Sequence, residues 1–124
     1  MEEIRYVIQS RNPESSPGPD GFGGTFYISC WDIIKFDLTN VVQVFFRGQP
    51  LPTSWTSTLI VTIHKVYNPS TFGDIRPISL CTYSAKIISK VLADRMACIL
   101  PQIISLAQNG FVKGRNITEN ILLA

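Results

Sequence analysis

The apolar residues change period twice along the chain, and each change marks an element. Between Phe22 and Gly48, Tyr27, Trp31, Ile34, Leu38, Val41 and Phe45 recur at three- and four-residue steps, the stripe of one long helix with a buried face. Asp20 stands where it can cap the first amides, and Gly48 after Arg47 is a suitable stop. Gln49-Pro50-Leu51-Pro52 cannot continue the helix, because each proline lacks a donor and restricts the residue before it. From Ser57 to Val66 the period falls to two, with Leu59, Val61 and Ile63 alternating against Ile60, Thr62 and His64. This predicts a strand with one face well buried and the other half-covered. Tyr67-Asn68-Pro69-Ser70 turns the chain, and Asp74 to Leu80 reads as the return strand of a long-looped hairpin. The helical period then resumes in Ile87, Ile88, Val91, Leu92 and Ile99, with the stem of Arg95 on the same stripe. Thr82 is its cap, and Pro101 marks its end.

The flanks are less regular. Residues 1–11 read as a helical tail with Ile4, Val7 and Ile8 on one face, followed by a turn-rich loop of prolines, glycines and serines over residues 12–21. A second loop surrounds Gly110 and Gly114, and a last helix opens at Asn116 or Thr118. That helix runs out in Ile121-Leu122-Leu123-Ala124 without a cap, so the chain reads as a piece of something longer.

Length and composition narrow the class. The 124 residues allow one small domain, and 45% hydrophobic with 16% charged residues exclude wholesale disorder. No apolar run approaches the roughly 18–20 residues of a membrane span, so no membrane partner is expected. The acidic start Met1-Glu2-Glu3 does not suit a signal or transit peptide. Cys30, Cys81 and Cys98 have no paired spacing and read as buried thiols, which favours an intracellular location, nuclear or cytoplasmic. The net charge of +2 is unevenly spread. Residues 1–62 hold four basic against six acidic side chains, whereas residues 63–124 hold seven against three. Such a split suits either a mixed solvated surface or a C-terminal half facing a polyanion.

The catalytic inventory is thin. His64 is the only histidine and reads as solvent-facing or packing, and the carboxylates are scattered singly, so neither a histidine-rich metal site nor a paired-acid magnesium site is expected. The glycines at 18, 21, 23 and 24 are not followed by Gly-Lys-Ser/Thr, which argues against a phosphate-cradling loop. One arrangement stands out. Lys65 ends the first strand and Arg76 begins the second, so a hairpin brings a point charge and a planar fork to where both can reach one anionic group. The plainer alternative is that Arg76 pairs with Asp74 while Lys65 is merely exposed.

A series of blocks then carries a resemblance. Ser16-Pro17-Gly18-Pro19-Asp20-Gly21, Phe26-Tyr27, Trp31, Ile63-His64-Lys65 and Asp74-Ile75-Arg76-Pro77-Ile78-Ser79-Leu80-Cys81 occur in this order. Lys86-Ile87-Ile88-Ser89-Lys90-Val91-Leu92-Ala93 with Arg95, and Gln108-Asn109-Gly110-Phe111-Val112-Lys113-Gly114-Arg115, follow them. From about residue 12 onward the chain resembles the N-terminal part of the reverse transcriptase domain of non-LTR (LINE-type) retrotransposons. Departures include His64 where the family usually has proline, Glu119 where it has aspartate, and Ser15 where it has a basic residue. Gly23-Gly24 also stands where the family has a more helix-friendly pair.

The resemblance implies a helix-rich α+β fragment of a right-hand polymerase, its fingers and palm entry, with one β-hairpin packed on two long amphipathic helices. Residues 1–11 are then a helical tail and 12–124 a partial reverse transcriptase domain. It further implies that Lys65 and Arg76 contact the triphosphate of an incoming nucleotide, and that Gly110, Lys113 and Arg115 lie near template or primer backbone. The partners of the complete enzyme are an RNA template, a DNA primer, a deoxynucleoside triphosphate, and the palm and thumb of the same polyprotein. Its catalytic aspartates hold two magnesium ions, but their motifs lie downstream in the family, so neither catalytic nor metal residues are expected here. The chain is accordingly read as the fingers of an RNA-directed DNA polymerase, inactive alone. The alternatives are a residual nucleic-acid-binding module and a transposon relic without a role.

Overall fold

A computed structural model describes residues 1–105, 108, 110, 112 and 114–116. It is a small α+β structure with one two-stranded antiparallel sheet and several helices. The final predicted helix lies outside the described residues. The chain divides into two compact units, Met1–Ile88 and Ser89–Ala124.

In the first unit, helix α1 (Glu2–Ser10) buries Ile4, Val7 and Ile8, the face its spacing predicts. The long helix expected after the glycine-rich loop is instead two helices, α2 (Gly24–Ser29) and α3 (Trp31–Phe46), with a break at Cys30 (φ −94°, ψ 8°). The Cys30 carbonyl accepts from both Ile33 N and Ile34 N, so α3 starts without loss of the apolar stripe. Three- and four-residue spacing continues through a one-residue kink and cannot reveal it. Tyr27, Trp31 and Leu38 are buried as expected, and Val42 is buried where Val41 is only half-buried. Asp20 does not cap α2. Its Oδ1 accepts from Phe22 N at 3.2 Å, and Gly23 occupies the cap position. Gly48 stops α3 with φ 82°, a conformation glycine adopts without strain.

The turn-rich loop is pressed onto the body. A Cβ on Gly18 would stand 2.5 Å from the Thr82 backbone, and one on Gly24 would stand 2.8 Å from Pro13 Cα. Backbone meets backbone at both places, so no side chain fits. Gly23 and Gly24 therefore sit at the cap and first turn of α2, outside the helix interior where glycine is costly. Lys86 Nζ ties the same loop by donating to Ser16 O at 2.8 Å. Tyr83 stacks on Tyr27 with ring centroids 4.9 Å apart.

A short helix α4 (Thr53–Thr56) leads into β1 (Thr58–His64), which pairs with β2 (Ile75–Cys81) from Thr58↔Cys81 to His64↔Ile75. The packing expected of this hairpin is not found. Neither strand is covered on a full face, and Leu59, Ile60 and Ile63 remain 49%, 68% and 51% exposed. Alternation shows which side chains share a face, but it does not supply a partner for that face. Lys65 N donates to Asp74 O at 2.7 Å, which extends the ladder by one hydrogen-bonded pair. Such pairs alternate with non-hydrogen-bonded ones, so Thr62↔Pro77 falls in the second class and Pro77 removes no bond from the ladder.

Helix α5 (Tyr83–Ala97) begins at Thr82, whose Oγ1 accepts from Ala85 N at 3.3 Å, as its position in sequence predicts. Ile87, Ile88 and Val91 are buried, whereas Leu92 and Ile99 are 41% and 53% exposed, so the predicted stripe is buried only in its first half. Pro101 lies in the first turn of a separate short helix α6 (Leu100–Ile103), where its missing donor is harmless. Cys30 and Cys81 are half-buried and Cys98 is exposed, contrary to the reading of all three as buried thiols. Among the described residues, no helix is long and apolar enough to cross a membrane.

Candidate nucleotide-binding hairpin

The hairpin register settles which side chains share a face. Leu59, Val61 and Ile63 lie opposite Leu80, Ile78 and Arg76, and the extra rung places Lys65 opposite Asp74. Lys65 and Arg76 are thus diagonal neighbours at the open end of one face, roughly 7–8 Å apart in ordinary strand geometry. The same face is apolar toward its other end.

The turn holds this end in place. Thr71 and Asp74 form a reciprocal box around the 3-10 turn Phe72–Asp74. Asp74 Oδ2 accepts from Thr71 N at 2.9 Å, Thr71 Oγ1 at 3.0 Å and Ser70 N at 3.1 Å. The backbone amide of Thr71, then that of Ser70, hold the Asp74 carboxyl below its ordinary range. The carboxylate is therefore turned into the loop and is not paired with Arg76. Lys65 Nζ donates to Gly73 O at 2.7 Å, which leaves two of its three ammonium protons for another acceptor. Arg76 is exposed, and no ion pair engages it among the described residues. The Thr71/Asp74 brace was not foreseen, although the Thr-x-x-Asp spacing was its signal.

In the second unit, Arg115 donates to four main-chain carbonyls. Nη1 reaches Ser105 O at 2.6 Å and Gln108 O at 2.8 Å, while Nη2 reaches Ile104 O at 3.1 Å and Pro101 O at 3.3 Å. The fork satisfies carbonyls at and just beyond the C-terminal end of α6. Gly110 lies in a turn where an added Cβ would stand 3.4 Å from Gln108 Nε2, and Lys113 is outside the described residues. The carbonyl contacts of Arg115 join residues far apart in sequence and leave no local pattern to read.

No family model matches the chain. Over 99% of its length it is 27% identical to "Transposon TX1 uncharacterized 149 kDa protein" of Xenopus laevis. Over 98% it is 27% identical to "Probable RNA-directed DNA polymerase from transposon BS" of Drosophila melanogaster. The chain resembles non-LTR retrotransposon reverse transcriptases. It spans 9% and 14% of the length of these two relatives. The similarity covers both the hairpin and the glycine-rich loop, since it extends over nearly every residue.

Proposed function

We propose that the chain forms the fingers of a transposon RNA-directed DNA polymerase, and that the open end of the hairpin receives the triphosphate of an incoming deoxynucleotide. The observation that carries this reading is Arg76, an exposed guanidinium on the same face as Lys65 that no ion pair engages among the described residues. A fork and a point charge so placed suit adjacent phosphates. Gly110, Lys113 and Arg115 lie along template or primer backbone in the same reading. RNA template and DNA primer are then the macromolecular partners.

Among the described residues no three His, Cys, Asp or Glu side chains converge, so these residues offer no ligand set for the magnesium ions of the complete family domain. Palm, thumb and metal ligands come from the rest of a longer polypeptide, as the small share of each relative covered by this chain suggests. By itself, the 124-residue chain should extend no primer in the presence of template, nucleotides and magnesium. Chelator-sensitive extension that survives repurification would overturn this.

Nucleotide titration followed by NMR tests the hairpin. The parent chain should bind a deoxynucleoside triphosphate at millimolar level, more weakly as salt rises. Arg76→Ala should remove about 1.5–3 kcal/mol of the interaction, the worth of hydrogen bonds to a charged group. Arg47→Ala makes the same charge change beyond the end of α3 and should have little effect. Equal losses for the two variants would withdraw the nucleotide assignment.

A further inference from the structure

A second site is visible in the first unit, away from the hairpin's cations. A cavity of about 340 Å³ is walled by Phe22, Phe26, Tyr27 and Trp55, with Asp20 and Asp37 also lining it. Its size falls at the lower end of small-molecule sites, about 300–1,000 Å³. Four aromatic rings and two carboxylates line it, and among the described residues no lysine, arginine or histidine does.

The walls are held before any ligand arrives. Thr82 Oγ1 donates to Trp55 O at 2.5 Å, fixing the backbone that carries the indole. Asp20 Oδ1 accepts from Phe22 N, which sets one carboxylate beside one ring. Phe22 and Phe26 lie with centroids 4.5 Å apart, and Phe26 meets Tyr27 edge-on at 5.4 Å. Burial is the main cause that pushes the Tyr27 phenol above its ordinary range; the Ser84 hydroxyl opposes this and the Asp20 charge adds to it.

Elimination narrows the ligand. An anion would face two carboxylates with no cation to receive it. A neutral apolar molecule would strip water from those carboxylates and return nothing. A bare metal ion would need three converging donors, and no such group exists among the described residues. A cation wrapped in alkyl groups satisfies both halves of the cavity, since ring faces attract positive charge and the carboxylates balance it. We infer that this cavity binds an alkylated ammonium group, either a small free cation of the choline type or a methylated lysine side chain of a partner.

Choline, its neutral isostere 3,3-dimethylbutan-1-ol and a peptide with one trimethyl-lysine are titrated separately into the 124-residue chain, with the Trp55 indole N–H followed by NMR. Choline should shift this signal saturably, and the neutral isostere should bind about fivefold or more weakly, the size of a partly desolvated cation–π contact. Asp37→Asn and Phe22→Leu should each weaken choline binding by about threefold on the same scale. Both positions are exposed, and an unchanged Trp31 indole signal confirms that the fold survives. Asp32→Asn, whose carboxylate is already paired with Lys35 at 3.1 Å, should leave binding unaltered. A peptide that binds more tightly than choline supports the site and assigns the cation to a partner chain; weaker or equal binding supports it and assigns a free cation. Equal binding of choline and the alcohol, or no saturable shift with either cation, would overturn the inference.

Discussion

The glycine-loop body and the hairpin sit in one unit of the chain and are stabilised in opposite ways. In the body, α1, α2 and the start of α5 bury Val7, Tyr27, Tyr83 and Ile87, and the loop at Gly18 presses backbone against backbone. In the hairpin, cross-strand hydrogen bonds and one carboxylate brace do most of the holding, while Tyr67 and Phe72 stand 97% and 95% exposed. Both segments are rich in apolar residues. The difference shows that apolar composition produces stability only where the chain itself supplies the opposing surface. The hairpin's side chains are available to something else.

Paired substitutions probe that contrast. The largest difference is expected between Ile87→Ala and Ile60→Ala in urea unfolding. Ile87 is fully buried, so its truncation should cost about 2–5 kcal/mol through lost transfer energy and a residual cavity. Ile60 is 68% exposed, and its truncation should stay within about 0.5 kcal/mol. Comparable losses would mean that the hairpin is packed in solution as tightly as the body.

A smaller gap is expected between two glycines of the same loop. Gly18→Ala forces a methyl group to 2.5 Å from the Thr82 backbone and should cost about 1–3 kcal/mol, the range for overpacking. Gly21→Ala meets open space and suffers only from φ 75°, a strain of about 1 kcal/mol. Thermal unfolding of both variants checks the order. A harmless Gly18→Ala would show that the loop is not seated on Thr82.

The smallest effect concerns acid and the hairpin alone. Asp74 has its folded pKa lowered, so its contribution is fully present above the ordinary aspartate range and is lost as pH falls through the lower folded value. The amides of Ser70 and Thr71 should therefore lose protection against exchange, measured relative to the intrinsic rate at each pH, as the solution is acidified, while those of α1 keep theirs. Asp74→Asn should abolish this pH dependence, and its persistence in that variant would assign the effect to another group.

The elements could be read from the residues, but the contrast in their packing could not. The faces of α1 and of the two strands, the stop at Gly48 and the cap at Thr82 each depend on neighbours within a turn or a rung, and local spacing encodes them. The kink at Cys30, the close approach of Gly18 to Thr82 and the carbonyl contacts of Arg115 depend on residues distant in sequence or on a single backbone angle. For the candidate site, the hairpin pattern already implied that Lys65 and Arg76 stand on adjacent strands within reach of one anion, and the register added that they share a face. That Asp74 turns into the loop, and does not pair with Arg76, required the geometry of the turn.

Pro77 has one more consequence, for what the chain does in company. Because its pair is the non-hydrogen-bonded kind, the position of its absent N–H is on the outer side of β2, where a foreign strand would otherwise find a donor. The outer side of β1 has no such interruption. Thr58, Ile60, Thr62 and His64 present donors and acceptors there, within a seven-residue strand that contains neither proline nor a formal charge at neutral pH. Among the described residues one border of the sheet is blunted and the other is open, so a strand added to this sheet would find its uninterrupted row of donors and acceptors along β1.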